Sequence, residues 1–236
     1  MPRKLFGLLT LSLLISTASF AQSEKVAMDS VDVIEQRKHQ DLFYVDLTWD
    51  YLFGLPQGVE QKWYGRGVNL GLVFDQPFTK DGTVSGAIGA GFASQNYYLT
   101  ALVNRFDSAG SSYSEFQVAS DSVLSRGKIS LNYVDVPFEL RFRTKPNKEG
   151  IRWKFAVGGK VGYLVNVHEK IIDAQNIKIK TYNYPNIAQV RYGVSARVAY
   201  GAIGVSAFYS LSPLFNTGAS VGQQNSFTVG ISLIPF

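Results

Sequence analysis

The stretch Lys128–Arg143 reads KISLNYVDVPFELRFR, and its side chains alternate between two kinds. From residue 134 onward one face is entirely apolar: Val134, Val136, Phe138, Leu140 and Phe142. The other face carries charge at most of its positions: Asp135, Glu139, Arg141 and Arg143. Successive side chains of a β-strand point to opposite faces of a sheet, so this period of two predicts a strand with one apolar and one polar face.

The same alternation recurs from about residue 42 to the end of the chain. It gives eight candidate strands: Leu42–Phe53, Gly65–Gln76, Thr83–Tyr98, Lys128–Arg143, Ile151–His168, Gln189–Tyr200, Ile203–Leu211 and Ser226–Phe236. The connections after the first, third, fifth and seventh strands are long, at residues 54–64, 99–127, 169–188 and 212–225, and the other three are short. Long extracellular loops that alternate with short periplasmic turns are typical of up-and-down barrels in bacterial outer membranes.

The distribution of charge indicates which face points outward. The apolar faces contain no charged residue, as contact with hydrocarbon requires, whereas the other faces are mostly Gly, Ala, Ser and Thr. Small side chains suit the narrow lumen of an eight-stranded barrel, and a soluble barrel would place its apolar face inward instead. Aromatic side chains suited to the membrane interfaces lie towards strand ends: Trp49, Tyr51, Phe74, Trp153, Tyr163, Tyr200 and Tyr209. Residues 41–236 are therefore predicted to form an all-β, eight-stranded antiparallel up-and-down transmembrane β-barrel.

The N-terminus carries the features of an export signal. Arg3 and Lys4 precede the apolar run Leu5–Ile15, and Ser19-Phe20-Ala21 supplies small residues for a signal peptidase. The run is shorter than the roughly 20 residues that a membrane-spanning helix needs, and an uncleaved N-terminal anchor is the alternative. We expect residues 1–21 to be a cleaved signal peptide and residues 22–40 a flexible periplasmic segment, with the mature protein in the bacterial outer membrane.

Composition argues against several classes of protein. The 236 residues include no Cys, so there is no disulfide framework, no thiolate site and no lipid-bearing cysteine. Loss of Arg3 and Lys4 with the signal leaves 21 of the 23 basic residues against 18 acidic ones, a net charge of +3. That balance does not predict nucleic acid as a partner. No P-loop, complete GxGxxG, HExxH or EF-hand pattern is present, so no cofactor or metal is expected.

Charged residues on the small-residue faces are the best candidates for a functional site. The acidic ones are Asp46, Asp50, Asp75, Asp135 and Glu139, and the basic ones are Arg141, Arg152, Lys154, Lys160, Arg191 and Arg197. Because buried charges must be paired, we expect these side chains to meet across the lumen as a closed salt-bridge network. A lumen that conducts ions, as in a small porin-like channel, or that binds a ligand is the alternative.

Histidine would mark a lipid-modifying barrel enzyme, since such enzymes need it beside a Ser or a carboxylate. The sequence has only His39, in the N-terminal segment, and His168, near the outer end of the fifth strand on its inward parity, beside Glu169. No spacing selects a serine partner for His168, and an interfacial or salt-bridged histidine is the simpler interpretation. The sequence therefore predicts a protein that is not an enzyme.

The long connections hold the remaining signals. The second, Thr100–Gly127, is rich in Ser and Asp and includes Phe106, Tyr113 and Phe116. The third includes Ile177-Lys178-Ile179-Lys180, whose alternation predicts that the fifth or sixth strand extends above the membrane. These aromatic and basic residues are suited to contact a protein partner or lipopolysaccharide, and solvated hairpin extensions are the alternative. The expected partners are outer-membrane lipid and, at the extracellular loops, another protein.

Two prolines conflict with a closed barrel, in which every strand has neighbours on both sides. Pro137 lies within the fourth candidate strand, where the missing N–H predicts a bulge or a local break in the ladder. Pro235 similarly disturbs the last strand just before its end.

The residues around Pro137 also resemble a known family. Leu131–Phe142 (LNYVDVPFELRF) is similar to the Tyr-x-x-(Val/Ile)-Pro-(apolar)-x-(apolar) strand of PorT-like outer-membrane β-barrel proteins. Phe155–Tyr163 (FAVGGKVGY) is similar to the strand that follows it in that family. The Phe20-Ala21-Gln22 junction and the terminal Phe236 also fit, and the resemblance covers roughly residues 42 to 236.

The resemblance implies an outer-membrane barrel in which a proline at position 137 is usual. Phe236 then resembles the terminal signal recognised by the barrel-assembly machinery during insertion, although Pro235 and the parity of Ser232 and Ile234 depart from its usual alternation. One founding member of the family is associated with a protein-secretion system, which leaves a link to secretion or envelope integrity open. Because a shared fold does not transfer a role, we expect only a structural component or a protein that acts through its extracellular loops.

Overall fold

The computed structural model describes residues 43–108, 111–119, 124–173, 175–182, 184–216 and 223–234. The predicted signal peptide (1–21), the N-terminal segment (22–40) with His39, and Pro235 and Phe236 lie outside these ranges. Within the described ranges, no helix is long and apolar enough to cross a membrane.

Eleven β-strands make up the described structure. Their bounds are β1 Phe43–Phe53, β2 Arg66–Pro77, β3 Val84–Leu99, β4 Ala101–Ser108, β5 Ser111–Val118, β6 Leu124–Arg143, β7 Trp153–Asp173, β8 Lys178–Tyr182, β9 Val190–Tyr200, β10 Ile203–Ser210 and β11 Asn225–Leu233. Eight of them, namely β1–β3, β6, β7 and β9–β11, pair antiparallel in chain order, and β1 pairs with β11 to close the ring. The predicted fold is confirmed as an eight-stranded antiparallel up-and-down barrel.

The two faces of the barrel wall are inverted relative to a soluble protein. Asp46, on the polar face of β1, is only 2% exposed, whereas its apolar neighbour Leu47 is 53% exposed. The same alternation of buried and exposed positions continues along β2 and β9. A continuous exposed surface of large apolar side chains is stable against lipid and not against water, so the apolar face is the membrane surface.

Aromatic side chains cluster at both ends of this apolar surface. At the end with the short turns, Trp153 stacks on Phe155 and contacts Tyr200, with ring centroids 6.2 and 5.1 Å apart. At the opposite end, Phe53 lies 6.3 Å from Tyr209 and 6.0 Å from Phe227, again between ring centroids. Two such girdles mark the two membrane interfaces, and the longer connections lie beyond the second, extracellular one.

β6 and β7 are about twice as long as a membrane crossing requires. They have 20 and 21 residues, whereas a crossing strand takes about 9–11. Their exposed apolar side chains run from Val134 to Phe142 on β6 and from Trp153 to Val165 on β7. The rest of both strands extends above the membrane, where β8 pairs with β7. This extension agrees with the expectation from the alternation at residues 177–180.

A β-bulge at the extracellular membrane interface reverses the two faces of β7. Asn132 of β6 pairs with Asn166, but the next residue, Tyr133, pairs with Leu164, so Val165 is an extra residue on β7. One extra residue moves every following side chain to the opposite face. The prediction that His168 points inward is therefore wrong: His168 shares the outer face with Ser130, and its neighbour Glu169 points into the protein.

Pro137 interrupts one ladder and leaves the strand in register. Ile88 of β3 pairs with Phe138 and Gly91 with Asp135, while the two intervening positions, including that of Pro137, form no ladder pair. On its other side Pro137 lies opposite Lys160 without a register shift. The predicted break is thus present towards β3, because the proline nitrogen has no hydrogen to donate, and no bulge accompanies it.

Candidate functional site

A buried carboxylate on β6, Asp135, is the centre of the upper ion-pair group in the lumen. Arg191 of β9 lies 2.8 Å from it between Nη2 and Oδ2, and Lys160 of β7 lies 3.8 Å away. Arg191 also donates to Gln95 Oε1 at 2.8 Å, and its guanidinium carbon lies 3.7 Å from the ring centroid of Tyr133. Because each guanidinium nitrogen of Arg191 donates a hydrogen bond, its charge is tolerated away from water.

A second group lies in the middle of the lumen, around Arg197 of β9. Its Nη1 lies 2.9 Å from Glu139 and its Nη2 lies 3.3 Å from Asp46. Arg141 approaches the same Glu139 to 2.9 Å, and the Ser232 hydroxyl donates to Asp46 at 2.6 Å. Four barrel strands, β1, β6, β9 and β11, are thus cross-linked through two carboxylates, two guanidinium groups and the Ser232 hydroxyl.

A third group, towards the periplasmic end, surrounds Asp75 of β2. Arg143 Nη2 lies 2.6 Å from Asp75 Oδ2, and Arg141 lies 3.7 Å from Oδ1. The Ser85 hydroxyl donates to Asp75 at 2.7 Å and accepts from Arg143 at 2.7 Å. Arg143 was not among the residues predicted to belong to the network. It shares the inward parity of Glu139 and Arg141, and this parity was the sequence feature that could have predicted its place there.

The other residues expected in the network occupy different environments. Asp50 is buried and forms no ion pair within the described part of the chain; it accepts from the Thr48 hydroxyl and the Asn96 N–H, both at 3.0 Å. The expectation that Asp50 meets a cation is corrected, because neutral donors satisfy its oxygens. Arg152 and Lys154 are buried near the periplasmic end, where Lys154 lies opposite Arg143 in the sheet.

Little room remains between these groups. A cavity of about 20 Å³ lies among Asp46, Asn69, Lys160 and Arg197, which is enough for one or two water molecules. Its lining includes Asn69 and Arg197, whose Oδ1 and Nε have no hydrogen-bond partner among the described residues. The cavity is polar and of water size rather than of ligand size.

Apolar side chains fill the outer mouth of the lumen. We call them the extracellular cap; they are Leu52, Val59, Ala93, Tyr97, Leu99, Ala101, Val103, Phe116, Ile129, Leu131, Tyr133, Tyr184, Ile187, Leu214 and Phe215. All four long connections contribute, and Phe116 of the β4–β5 hairpin packs edge-on against Phe215, with ring centroids 5.3 Å apart. Burial of this apolar surface holds the connections over the mouth.

Sequence reasoning missed the cap, although the sequence contains a signal for it. Above Asp135, the inward positions of β6 change from charged to apolar at Tyr133, Leu131 and Ile129. An apolar inner face is unsuited to a water-filled mouth, so these three residues require a cover of further apolar side chains.

Glu169 fastens two of these connections to the barrel wall. It is only 3% exposed and lies on β7 above the membrane-crossing stretch. Its Oε1 accepts from the Val103 N–H at 2.9 Å, and its Oε2 accepts from the Tyr184 hydroxyl at 2.7 Å. Burial raises the pKa of Glu169 above its ordinary value, against the lowering effect of these two hydrogen bonds. Burial and then the bond to Glu169 raise the pKa of Tyr184, so this hydroxyl stays protonated as a donor.

We expect the attachment of the β4–β5 hairpin to weaken as pH rises. A carboxyl whose pKa is raised by folding binds its proton more tightly in the folded state, so it favours the closed cap below its ordinary pKa. That contribution is lost as pH rises through the interval up to the raised value. Hydrogen exchange of the Val103 amide measures the attachment of the hairpin. Comparing the wild type with Glu169→Gln at each pH cancels the intrinsic pH dependence of the exchange reaction. From about pH 4 to about pH 8, protection should fall several-fold more in the wild type; parallel curves would contradict the assignment.

Among the described residues, His168, the candidate for catalysis, contacts no nucleophile or carboxylate that could form a relay. Its Nδ1 lies 3.1 Å from Asn166 Oδ1, and its ring lies 5.8 Å from that of Tyr182. Ser130 is opposite it in the sheet, but the Ser130 hydroxyl donates to Asn96 Oδ1. Glu169 points to the other face of the strand, so no Ser–His–carboxylate arrangement forms among the described residues.

The described ranges contain no group of three His, Asp or Glu side chains that is placed to hold a metal ion. Asp46, Asp75, Asp135 and Glu139 each face at least one guanidinium or ammonium group. Their oxygens are occupied by these cations and by neighbouring hydroxyls.

Comparison with family models identifies the family of this chain. A family model described as an outer membrane protein beta-barrel domain matches residues 49–217, which is well over half of the chain and reaches from within β1 to beyond β10. No curated protein matches the chain.

Proposed function

Because the chain belongs to the family of outer membrane protein beta-barrel domains, we propose that it is a non-enzymatic and non-conducting barrel that acts as a structural component or through its extracellular hairpins. The observation that carries this proposal is the double closure of the lumen. Ion pairs fill its membrane-spanning part, and the extracellular cap fills its outer mouth.

The ion-pair groups argue against a resting pore. Arg191 and Arg197 extend across the lumen to carboxylates on other strands, so a hydrated ion would have to separate charges that lie about 3 Å apart. Separating a buried pair leaves two uncompensated charges in a low-dielectric interior, which is costly. The cavity between the groups accommodates water and not a hydrated column of ions.

The outer surface of the hairpins supports a role in binding another protein. Phe106 of β4 stacks on Tyr113 of β5, with ring centroids 5.4 Å apart, and Val118 at the end of this hairpin is exposed. Ile177 and Ile179 are exposed on and beside β8, well above the apolar membrane surface. Exposed apolar side chains beside half-buried aromatic rings on an ordered hairpin are typical of contact surfaces between proteins.

Planar bilayer recording tests the closed lumen. The folded, purified protein should give no steady conductance steps, because both closures remain in place in the bilayer. A large porin reconstituted in parallel shows that insertion is detected. Arg105→Ala, which changes an exposed side chain of β4, is the matched variant and should stay equally silent. Steady ion conductance by the wild type would replace this proposal with the small channel.

The finer family assignment rests on the sequence. The Tyr133–Pro137 strand motif supports a PorT-like protein, for which a link to secretion or envelope integrity is the corresponding proposal. Interaction of the terminal Phe236 with the barrel-assembly machinery during insertion is likewise proposed from its resemblance to the assembly signal.

A further inference from the structure

Three lysines stand side by side on the outer face of the barrel extension, one on each of β6, β7 and β8. Lys128 lies directly opposite Lys170, and Lys170 lies directly opposite Lys180. Directly opposed residues of antiparallel strands share a face, and neighbouring strands are about 4.8 Å apart. The three side chains, which we call the lysine row, therefore start from a line about 10 Å long.

The lysine row is costly to the isolated protein. Like charges that are directly opposed destabilise a sheet. None of the three lysines forms an ion pair within the described part of the chain. Burial, followed by the charges of Lys170 and Lys180, lowers the pKa of Lys128. The polar compensation for Lys128 is a hydrogen bond from its Nζ to Asn96 Oδ1 at 3.0 Å.

The row lies just above the lipid-facing surface and points sideways, towards the membrane plane. On β6 the outward side chains change from apolar at Val134 to polar at Asn132, and Lys128 is four residues further along the strand. At about 3.3 Å per residue and a strand tilt of about 40°, Lys128 is roughly 10 Å above Asn132. This is the level at which the headgroups of outer-leaflet lipids lie.

Neutral polar side chains lie on the outer face between the lysine row and the apolar membrane surface. His168, Asn166 and Tyr182 share the outer face with Lys170 and Lys180. Burial, followed by the charges of Lys128 and Lys180, lowers the pKa of His168, which keeps the ring neutral. Amide, imidazole and phenol groups can exchange hydrogen bonds with the hydroxyl and amide groups of a sugar headgroup.

We propose that the lysine row binds the phosphate groups of a phosphorylated glycolipid in the outer leaflet. An ammonium group binds phosphate as a point charge, and three in a row provide the positive potential that such a headgroup complements. The bound phosphates offset the repulsion that the three lysines exert on one another. The site depends on the position of the row and not on whether the lumen conducts, so it goes beyond the proposed function.

Native mass spectrometry of the folded protein in a non-ionic detergent tests the site with diphosphorylated lipid A as the probe. Replacing the row (Lys128→Gln, Lys170→Gln and Lys180→Gln) should weaken binding about a hundredfold, since each lysine near an anionic lipid surface contributes about a factor of five. The matched control replaces three exposed lysines of the periplasmic turns (Lys80→Gln, Lys145→Gln and Lys148→Gln), with the same change in net charge. The control should bind as the wild type does, and Lys170→Arg should retain binding.

Thermal unfolding gives a second readout that does not depend on a binding constant. In detergent without lipid A, removal of the row should leave the barrel as stable as the wild type or more stable, because like-charge repulsion is relieved. Added lipid A should raise the unfolding temperature of the wild type and not that of the row variant. Equal affinities of the row variant and the control variant for lipid A would overturn the proposal. Displacement of lipid A by inorganic phosphate at equal concentration would also overturn it, since the row would then be a site for free phosphate.

Discussion

Replacing Asp135 with alanine should lower the free energy of unfolding of the barrel by about 3–5 kcal/mol, the cost of breaking a buried ion pair by removing one partner. Arg191, which lies 2.8 Å from Asp135, then keeps its charge in the membrane-spanning lumen. Its remaining partners among the described residues are Gln95 and the rings of Tyr133 and Phe208, and none of them carries a counter-charge. Lys160 loses the same carboxylate. The physical reason is that a charge without a counter-charge cannot be hydrated in this closed lumen.

Unfolding in urea, with the protein reconstituted in lipid vesicles and followed by tryptophan fluorescence, measures this loss. The matched control is Asp107→Ala, which removes an ion pair of similar length, 3.0 Å to Arg105, on the exposed β4–β5 hairpin. Exposed pairs contribute about 1 kcal/mol or less, so the control should change little. The double variant Asp135→Leu, Arg191→Met should recover part of the loss, because both charges are removed together. If Asp135→Ala and Asp107→Ala cost the same, the lumen is hydrated and the proposed closure is wrong.

Placing an arginine on the apolar face in the middle of the wall should cost about 2–4 kcal/mol, as lipid-facing charges near the bilayer midplane do. Val161 is suited to this test because it lies between the two ends of the crossing part of β7 and is 44% exposed. In Val161→Arg the guanidinium enters hydrocarbon, whereas in a water-exposed position it would be solvated.

Ile179→Arg is the matched control for the membrane face. Ile179 lies on β8 above the membrane and is 48% exposed, so the two positions differ in the surrounding solvent and hardly in accessibility. A surface substitution of this kind usually changes stability by no more than about 0.5 kcal/mol. The same vesicle unfolding assay compares the two variants. Equally small effects would mean that the apolar face of β7 does not contact hydrocarbon.

The accuracy of prediction from the sequence differs between parts of this chain. In β1, parity placed Asp46 inside and Leu47 outside correctly, because an unbulged strand keeps a strict period of two. At His168 the same rule failed, since the extra residue Val165 reverses the faces and sequence alone does not show where a ladder slips. The ion-pair partner of a charged side chain was less predictable than the face on which it lies. Arg143 pairs with Asp75 across the lumen, whereas Asp50 accepts hydrogen bonds from neutral donors. Arg143 and Asp75 lie on strands that are far apart in the chain, so only the closed ring determines that these two charges meet.

The sequence by itself determined the number of strands in the barrel wall, their direction and the face that meets lipid, because alternation and loop length are local properties that every barrel strand carries. Only the tertiary structure showed the bulge at Val165, the extracellular cap and the row formed by Lys128, Lys170 and Lys180. The bulge and the row depend on register between strands, and the cap depends on contacts between connections that are distant in the chain. Both are set by the packing of the whole barrel rather than by the residues of one segment.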